Sequence, residues 1–306
     1  MSDIRFDGRV AIVTGAGHGL GRSHAKLLAS RGAKVMVNDL GGSVDGTGSG
    51  SAAEDVAQEI REAGGQALSH RANVTKPDEV EDMVKQAVGE WGQVDILVNN
   101  AGILRDKSFA KMTVEDFQAV VDVHLMGSMV CTKAVWELMR EAGYGRIAMT
   151  SSSSGIYGNF GQSNYGAAKM GLVGFMNVLH LEGAKYNIRV NSLAPVAATR
   201  MTENLMPPAA LDLLTPEAVS AGLVYLVSED APSRVVLAAG AGGYAASKIY
   251  ETDGIYLPPD QQTPENIAAN IDAILDTGAQ KEFQQGGEQG VKFLGKAAAA
   301  LGVKLG

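Results

Sequence analysis

Three features of the sequence predict a doubly wound α/β fold, a parallel sheet with helices on both faces. Short β-rich apolar runs alternate with longer amphipathic stretches, strand then helix, six times before Pro195. The runs are nearly continuous in apolar residues, as strands covered on both faces must be. Glycine, 38 of 306 residues, gathers at the ends of these runs, where a strand turns sharply into a helix.

Val10–Thr14 (VAIVT) is a compact apolar strand ending in glycine, and Gly21–Ser30 has helical spacing with a stop at Gly32. Lys34–Asn38 (KVMVN) is a second strand, Ala52–Ala63 a helix that ends at Gly64-Gly65, and Leu68–Val74 a third strand. Thr75 and Pro77 open a helix over Pro77–Glu90. Val94–Asn99 (VDILVN) is the fourth strand, Val114–Glu141 one long helix, and Arg146–Ser151 the fifth strand. Another long helix, Tyr165–Tyr186, leads into Arg189–Leu193 as the sixth. Beyond Pro195 the rhythm loosens into a helix at Pro216–Ser228 and a last strand at Val235–Ala239. After Glu251 come a bend at Leu257-Pro258-Pro259, a helix around Pro264–Asp276, and a Gly/Gln-rich tail from about Ala279. That tail either packs on a neighbouring subunit or is partly disordered.

Composition removes several function classes. Lys plus Arg is 26 against 34 Asp plus Glu, a net charge of −8, so no nucleic-acid partner is expected. The single cysteine, Cys131, excludes an intramolecular disulfide and Cys-based zinc clusters, and no metal is expected. It fits a reducing compartment. The start of the sequence has no signal-peptide core, its end (VKLG) is not a peroxisomal SKL address, and no window holds about 18 apolar residues. The expectation is a cytoplasmic protein without a membrane partner.

The first strand-to-helix turn reads Thr14-Gly15-Ala16-Gly17-His18-Gly19-Leu20-Gly21. Glycines there let the backbone turn, approach a pyrophosphate and pack helix on strand, and the helix N-terminus offers free N–H groups to the phosphates. The position of the turn, directly after one strand and before one helix, argues for this over a merely glycine-rich turn. Gly15, Gly17, His18, Gly19 and Leu20 are therefore candidate cofactor contacts. Asp39 ends the second strand, 24 residues after Gly15, where a carboxylate takes both ribose hydroxyls of NAD and repels the 2′-phosphate of NADP. No Arg or Lys lies in Leu40–Ser51 to offset that repulsion. The plainer alternative is an Asp that caps its own loop.

With Thr14–Gly21 as TGxxxGxG, Asn99–Gly102 as NNAG, Ser152, and Tyr165–Lys169 as YxxxK, the sequence resembles the short-chain dehydrogenase/reductase family over residues 5–245. The resemblance implies a Rossmann-type fold and an NAD-binding catalytic domain over residues 1–250; the remainder, 251–306, reads as a partly helical extension, with both alternatives open for its tail. It assigns Ser152, 13 residues before Tyr165, to orienting the substrate oxygen. Tyr165 and Lys169, four apart on a helix, share one face. An ammonium there is expected to lower the phenol's pKa and ready it to exchange a proton with substrate. Relatives carry Asn, fixing a water beside the lysine, in the register of His124. His124 either replaces that Asn in a relay or only fills the space. By the same likeness Asn73 and Val74 lie near adenine, and Asn99, Ala101 and Gly102 beside the cofactor, with Asn99 supporting the sheet. Pro195 and Thr199 meet the carboxamide, although Val196 stands where relatives have glycine.

Within the family, Val37–Gly42, Arg105–Phe109, Gly155–Gln162, Ser192–Thr202 and the insertion Gly41–Ala53 resemble the (3R)-hydroxyacyl-CoA dehydrogenase unit of peroxisomal multifunctional enzymes, a branch that also includes 17β-hydroxysteroid dehydrogenases. The implied substrate is an acyl-CoA thioester or a steroid-like molecule. An apolar loop over Thr199–Thr215, with Met201, Leu205, Met206, Pro207 and Pro208, either receives it or seals a dimer. Rivals are a steroid or other secondary-alcohol dehydrogenase, a 3-oxoacyl-carrier-protein reductase, and a non-enzymatic NAD sensor. Relatives pair through the equivalents of Val114–Glu141 and Tyr165–Tyr186, whose Val, Met, Leu and Trp136 either bury against a partner or are ordinary core; the expectation is a homodimer, with a tetramer as the alternative.

Overall fold

The computed structural model describes residues 3–48, 50–197 and 207–305. The chain divides into two compact units, Met1–Ala246 and Ser247–Gly306. The strands are β1 (Val10–Thr14), β2 (Lys34–Asn38), β3 (Gln66–His70), β4 (Ile96–Asn99), β5 (Gly145–Thr150), β6 (Ile188–Pro195), β7 (Val236–Gly240) and β8 (Gly243–Ser247). One sheet holds them in the order β3-β2-β1-β4-β5-β6-β7-β8, and every pairing from β1 to β7 is parallel. The crossovers carry α1 (Gly19–Ser30), α2 (Ala52–Glu62), α3 (Pro77–Trp91), α4 (Val114–Val121), α5 (Gly127–Ala142), α6 (Ser153–Tyr157), α7 (Ser163–Gly183), α8 (Pro208–Leu211) and α9 (Pro216–Leu226).

Strand residues alternate between two cores, as a pleat requires. Ala11, Val13, Val35, Val37, Ile96 and Val98 pack with Leu28 of α1, Ile60 of α2 and Leu223 of α9 on one face. On the other, Ile12, Met36, Leu97 and Ile147 meet Met83 of α3, Met139 of α5 and Leu172 of α7. Both faces are covered, so the doubly wound expectation holds. Each such aliphatic side chain buried contributes on the order of 1.5–3 kcal/mol.

In this unit the third strand and the long helix differ from expectation, and one strand is added. The third strand stops at His70 because side chains take over the backbone groups beyond it. Asn38 Nδ2 donates to the carbonyls of His70 (3.3 Å) and Ala72 (2.9 Å), and His70 Nδ1 accepts from Ala72 N (3.0 Å). The long helix expected at Val114–Glu141 contains a π-turn, Asp122–Met126, between α4 and α5. A strand beyond the last one expected, β8, follows a turn in which Ala241 and Gly242 both have positive φ. Of the two readings of Trp136, the core one holds: it is only 9% exposed and belongs to the second core.

In the second unit the helix expected around Pro264–Asp276 is divided at Asn270 into α10 (Pro264–Ala269) and α11 (Ile271–Leu275). Thr263 caps α10, its hydroxyl accepting from Asn266 N at 3.2 Å. The Gly/Gln-rich tail forms α12 (Gly287–Leu301), in which the run Lys296–Leu301 has high helix propensity. None of the described residues of this unit is buried. Polar contacts hold it instead: Lys292 pairs with Glu251, Lys296 with Asp253 at 2.6 Å and Lys248 with Glu282 at 2.7 Å, beside a bridge between Glu251 and Lys281.

Candidate active site

The strand order reverses between β1 and β4, and a cavity of about 640 Å³ lies at the carboxyl ends of the strands there. Thr14, the last residue of β1, fixes the reversal: its hydroxyl accepts from the N–H groups of Asn100 (3.0 Å) and Ala101 (3.1 Å). Asn100 Nδ2 donates to the carbonyls of Thr14 and Gly15, both at 3.0 Å. Gly15 needs its positive φ of 63°, and a Cβ on Gly21 would stand 2.2 Å from Gly15 O. The turn is thus a bare backbone cradle.

His18, the N-cap of α1, makes no side-chain capping bond, and the first turn of α1 carries no acid, so its N–H groups and positive dipole end are free for an anion. Asp39 lies beside this cradle. Its two oxygens accept from the N–H groups of Gly17 (2.8 Å) and Gly41 (2.7 Å). A Cβ on Gly17 would fall 2.6 Å from Ala52 Cβ and 2.8 Å from Asp39 Oδ2. An anion cradle with a carboxylate one residue past the second strand fits a dinucleotide.

Gly15, His18, Gly19, Leu20, Asp39, Asn73, Val74, Ala101, Gly102 and Pro195 all line the cavity. Gly17 reaches it through Asp39. Asn73 also shapes the chain, its Oδ1 accepting from the backbone N (3.0 Å) and hydroxyl (2.9 Å) of Thr75 just before α3. Asn99 does not line the cavity. As the last residue of β4 it points into the core, where Nδ2 donates to Thr132 Oγ1 at 3.0 Å and its Oδ1 has no partner. The side chain that faces the site is its neighbour Asn100. Thr199, with Met201, Leu205 and Met206, lies outside the described residues.

At the inner end β5 delivers Ser152, and α7 brings Tyr165 and Lys169 on one face. Ser152 caps α6, its hydroxyl accepting from Ser154 N at 3.1 Å, and it hydrogen-bonds Tyr165. Lys169 is buried and donates to Thr150 O at 2.5 Å, with Nζ 5.3 Å from the centroid of the Tyr165 ring. Burial pushes the Tyr165 phenol up to about 12, against the downward pull of Ser152 and with a further upward push from Asp106. Burial takes Lys169 down to about 7. The expected lowering of the phenol by the lysine is therefore not what the protein alone shows: desolvation favours the neutral form of each group.

His124 sits in the π-turn, buried, its ring edge-on to Tyr165 with centroids 5.1 Å apart. Nε2 is 2.8 Å from Ile103 O and 3.2 Å from Ile103 N, so one residue serves either tautomer. Nδ1 has no protein partner. Burial, then the charge of Lys169, holds the imidazole well below its usual range. Gly102 makes the room, since a Cβ there would lie 2.2 Å from His124 Cε1.

Sequence reading missed Asn100 and Thr150, and it gave the insertion Gly41–Ala53 no place in the site. The signal for Asn100 was in the NNAG motif, one residue along. Val44 O accepts from Leu104 N at 3.0 Å and Asp45 O from Arg105 Nε at 3.3 Å. Gly42, Ser43, Val44 and Gly46 thereby form one wall of the cavity.

Against known proteins, residues 9–209 match the short chain dehydrogenase family. A putative short-chain type dehydrogenase/reductase of Mycobacterium tuberculosis is 48% identical over 277 residues, 89% of this chain and 96% of that one. The peroxisomal hydratase-dehydrogenase-epimerase of Saccharomyces cerevisiae is 47% identical over 278 residues, 90% of this chain but only 31% of that protein. The chain thus spans about a third of that larger relative. Among solved structures, a 7α-hydroxysteroid dehydrogenase complexed with NADH and 7-oxo glycochenodeoxycholic acid superposes with a TM-score of 0.71 at 29% identity, over 79% of this chain and 98% of that one.

Proposed function

As the chain belongs to the short-chain dehydrogenase family, oxidoreductases of CH–OH groups that use a nicotinamide dinucleotide, we propose that it interconverts (3R)-3-hydroxyacyl-CoA and 3-oxoacyl-CoA with NAD. One observation carries the reading: a single cavity holds Asp39 beside the anion cradle at one end and Ser152, Tyr165 and Lys169 at the other. NAD is favoured over NADP because a 2′-phosphate would meet the Asp39 carboxylate. The Arg and Lys side chains in the lining have other partners, Arg105 Nε donating to Asp45 O and Lys169 Nζ to Thr150 O. The acyl-CoA substrate is favoured by the likeness to the hydratase-dehydrogenase-epimerase over 90% of the chain.

When bound, the nicotinamide supplies the hydride acceptor or donor. The protein's own groups handle the oxygen and the proton. Ser152 donates a hydrogen bond to the substrate oxygen and fixes its direction. Tyr165 Oη takes the alcohol proton during oxidation or returns it during reduction. Lys169, held by Thr150 O beside the Tyr165 ring, stabilises negative charge on the phenol when it is protonated. Because burial sets Tyr165 near 12, its deprotonated fraction rises with pH below that value, whereas Lys169, taken down to about 7, loses its charge over the same range. Oxidation therefore rises from pH 7 to 9.5 by much less than the roughly tenfold per unit of the phenol alone, and reduction does not rise.

The test follows NADH absorbance with a medium-chain (3R)-hydroxyacyl-CoA, its (3S) epimer and a 17β-hydroxysteroid in parallel. Turnover of the (3R) thioester with NAD, lost by a factor of about 10²–10⁴ in Tyr165→Phe with NADH binding retained, is the expected outcome. Turnover of the steroid alone overturns the substrate. We also take the protein to be a cytoplasmic homodimer joined through α4, the π-turn, α5 and α7, where Met126, Val178 and Leu181 are exposed. Sedimentation as a monomer at micromolar concentration, or a tagged chain found in an organelle, overturns those two points.

A further inference from the structure

Two segments, Arg105–Lys111 and Tyr157–Gln162, adjoin the cavity through Arg105, Asp106, Asn159 and Gln162, and we take them as its outer rim. The segments are fastened to each other, Lys107 N donating to Gly161 O at 2.9 Å and Gln162 Nε2 to Asp106 Oδ2 at 2.6 Å. Gly161 has a φ of +83°, a conformation suited to glycine at this close turn. The rim is built, and its side chains are unusual. Phe109 is 77% exposed, Tyr157 75% and Phe160 89%. Large rings are normally buried, and several exposed on two joined segments that adjoin a cavity mark a surface that meets a ligand or partner. Cations share the first segment: Lys107, paired with Asp116 at 2.6 Å, and Lys111 at the end of the short turn Phe109–Lys111.

Aromatic faces stack a nucleobase, and ammonium groups beside them meet phosphates. We propose that this rim binds the nucleotide end of coenzyme A, with adenine on the rings of Phe109, Tyr157 and Phe160 and the phosphates on Lys107 and Lys111. The inference rests on the acyl-CoA reading above and deepens it. Continuity with the catalytic cavity selects this occupant. A thioester whose reacting carbon sits at Ser152 and Tyr165 must lead its remaining length out past Asp106 and Gln162. A steroid has neither base nor phosphate to use the rim. Contacts so far from the reacting carbon act on substrate binding equally in ground and transition state, so they set KM more than kcat.

The experiment compares one acyl group on two carriers, the (3R)-3-hydroxyacyl-CoA and the N-acetylcysteamine thioester that lacks the nucleotide. Wild type is set against Phe160→Ala and Lys111→Glu, both exposed positions, with adenosine 3′,5′-bisphosphate binding measured by calorimetry and size by sedimentation. The expected result is a KM for the CoA thioester raised roughly tenfold with kcat within twofold. The N-acetylcysteamine thioester is unaffected, and bisphosphate binding is lost in both variants. Equal effects on the two thioesters, no effect on either, or a changed oligomeric state overturns the proposal, the last assigning the rings to a second copy of the chain. If wild type turns over neither thioester, the function reading fails by itself. Bisphosphate binding that depends on Phe160 then still upholds a nucleotide site at the rim, and its absence overturns that too.

Discussion

His124 and Gly102 are one feature divided between two elements. The imidazole fills the volume that a side chain at position 102 would occupy, and Ile103 follows directly to hold Nε2. The φ of Gly102 is not in the left-handed region, so its lack of a Cβ serves the ring and not the turn. Gly102→Ala is therefore expected to cost about 1–3 kcal/mol by overpacking. In a His124→Asn background, where the shorter side chain leaves room, the same change should cost less than half as much. Urea denaturation of the four proteins in a double-mutant cycle measures this. Equal costs in both backgrounds would show that the clash lies with some other neighbour. Asn99 and Asn100 show how one residue of phase matters: successive side chains at the end of β4 face opposite sides, so one Asn belongs to the core and the next to the site.

The insertion after β2 acts as a strap, and it is held by backbone bonds. Ser43 N donates to Thr47 O at 2.8 Å, and Gly50 N to Leu40 O at 3.2 Å. Hydrogen bonds from Ser43 and Thr47 hold the Asp45 carboxyl down at about 2. Gly41 is its hinge, with φ +79°, an N–H given to Asp39 and a Cβ position 2.1 Å from Gly50 N. Gly41→Ala should thus displace both the strap and the carboxylate, and a roughly tenfold rise in the Kd of NADH is expected by fluorescence titration. Gly48→Ala is the control. Its φ is +81° but nothing lies within 4 Å, so it carries only backbone strain of about 1–2 kcal/mol, and NADH affinity should hold. Equal losses in both variants would mean that strain alone, and not the contact with Gly50, is at work. Elements buried on both sides were legible because their apolar runs are continuous, as Val10–Thr14 and Lys34–Asn38 are. The end of β3, the strap and the π-turn were not, because side-chain-to-backbone bonds and local turns leave no periodicity. Nor was α12, which buries no face. That Ser152, Tyr165 and Lys169 come together was legible from the motif spacing of the family they resemble. Their electrostatics were not, since burial is a property of the assembled fold.

At the scale of the main unit, the fold closes where α1 packs against α9, bringing together residues almost two hundred positions apart. Three buried polar side chains lie in that contact. His24 Nδ1 is 2.7 Å from Ser220 Oγ, which donates to Ser23 Oγ at 2.8 Å, while His24 Nε2 has no partner. With no acceptor for a second proton, burial takes the imidazole down to about 3. In the unfolded chain a histidine titrates near 6.5. Between those values the unfolded chain binds a proton that the folded chain does not, so stability is complete above about pH 6.5 and is lost as pH falls toward 3. At about 1.4 kcal/mol per unit, this one group should remove about 2 kcal/mol by pH 5. His124, also held low by burial, adds a loss of the same sign. His24→Gln keeps a polar group without the titration. It should start less stable at pH 7.5 and then fall by about 2 kcal/mol less than wild type between pH 7 and 5, measured by urea denaturation at each pH. A variant that tracks wild type would mean that water reaches His24 in the folded state. Because α1 also presents the phosphate cradle at its N-terminus, the same acid range should weaken NADH binding in wild type more than in the variant.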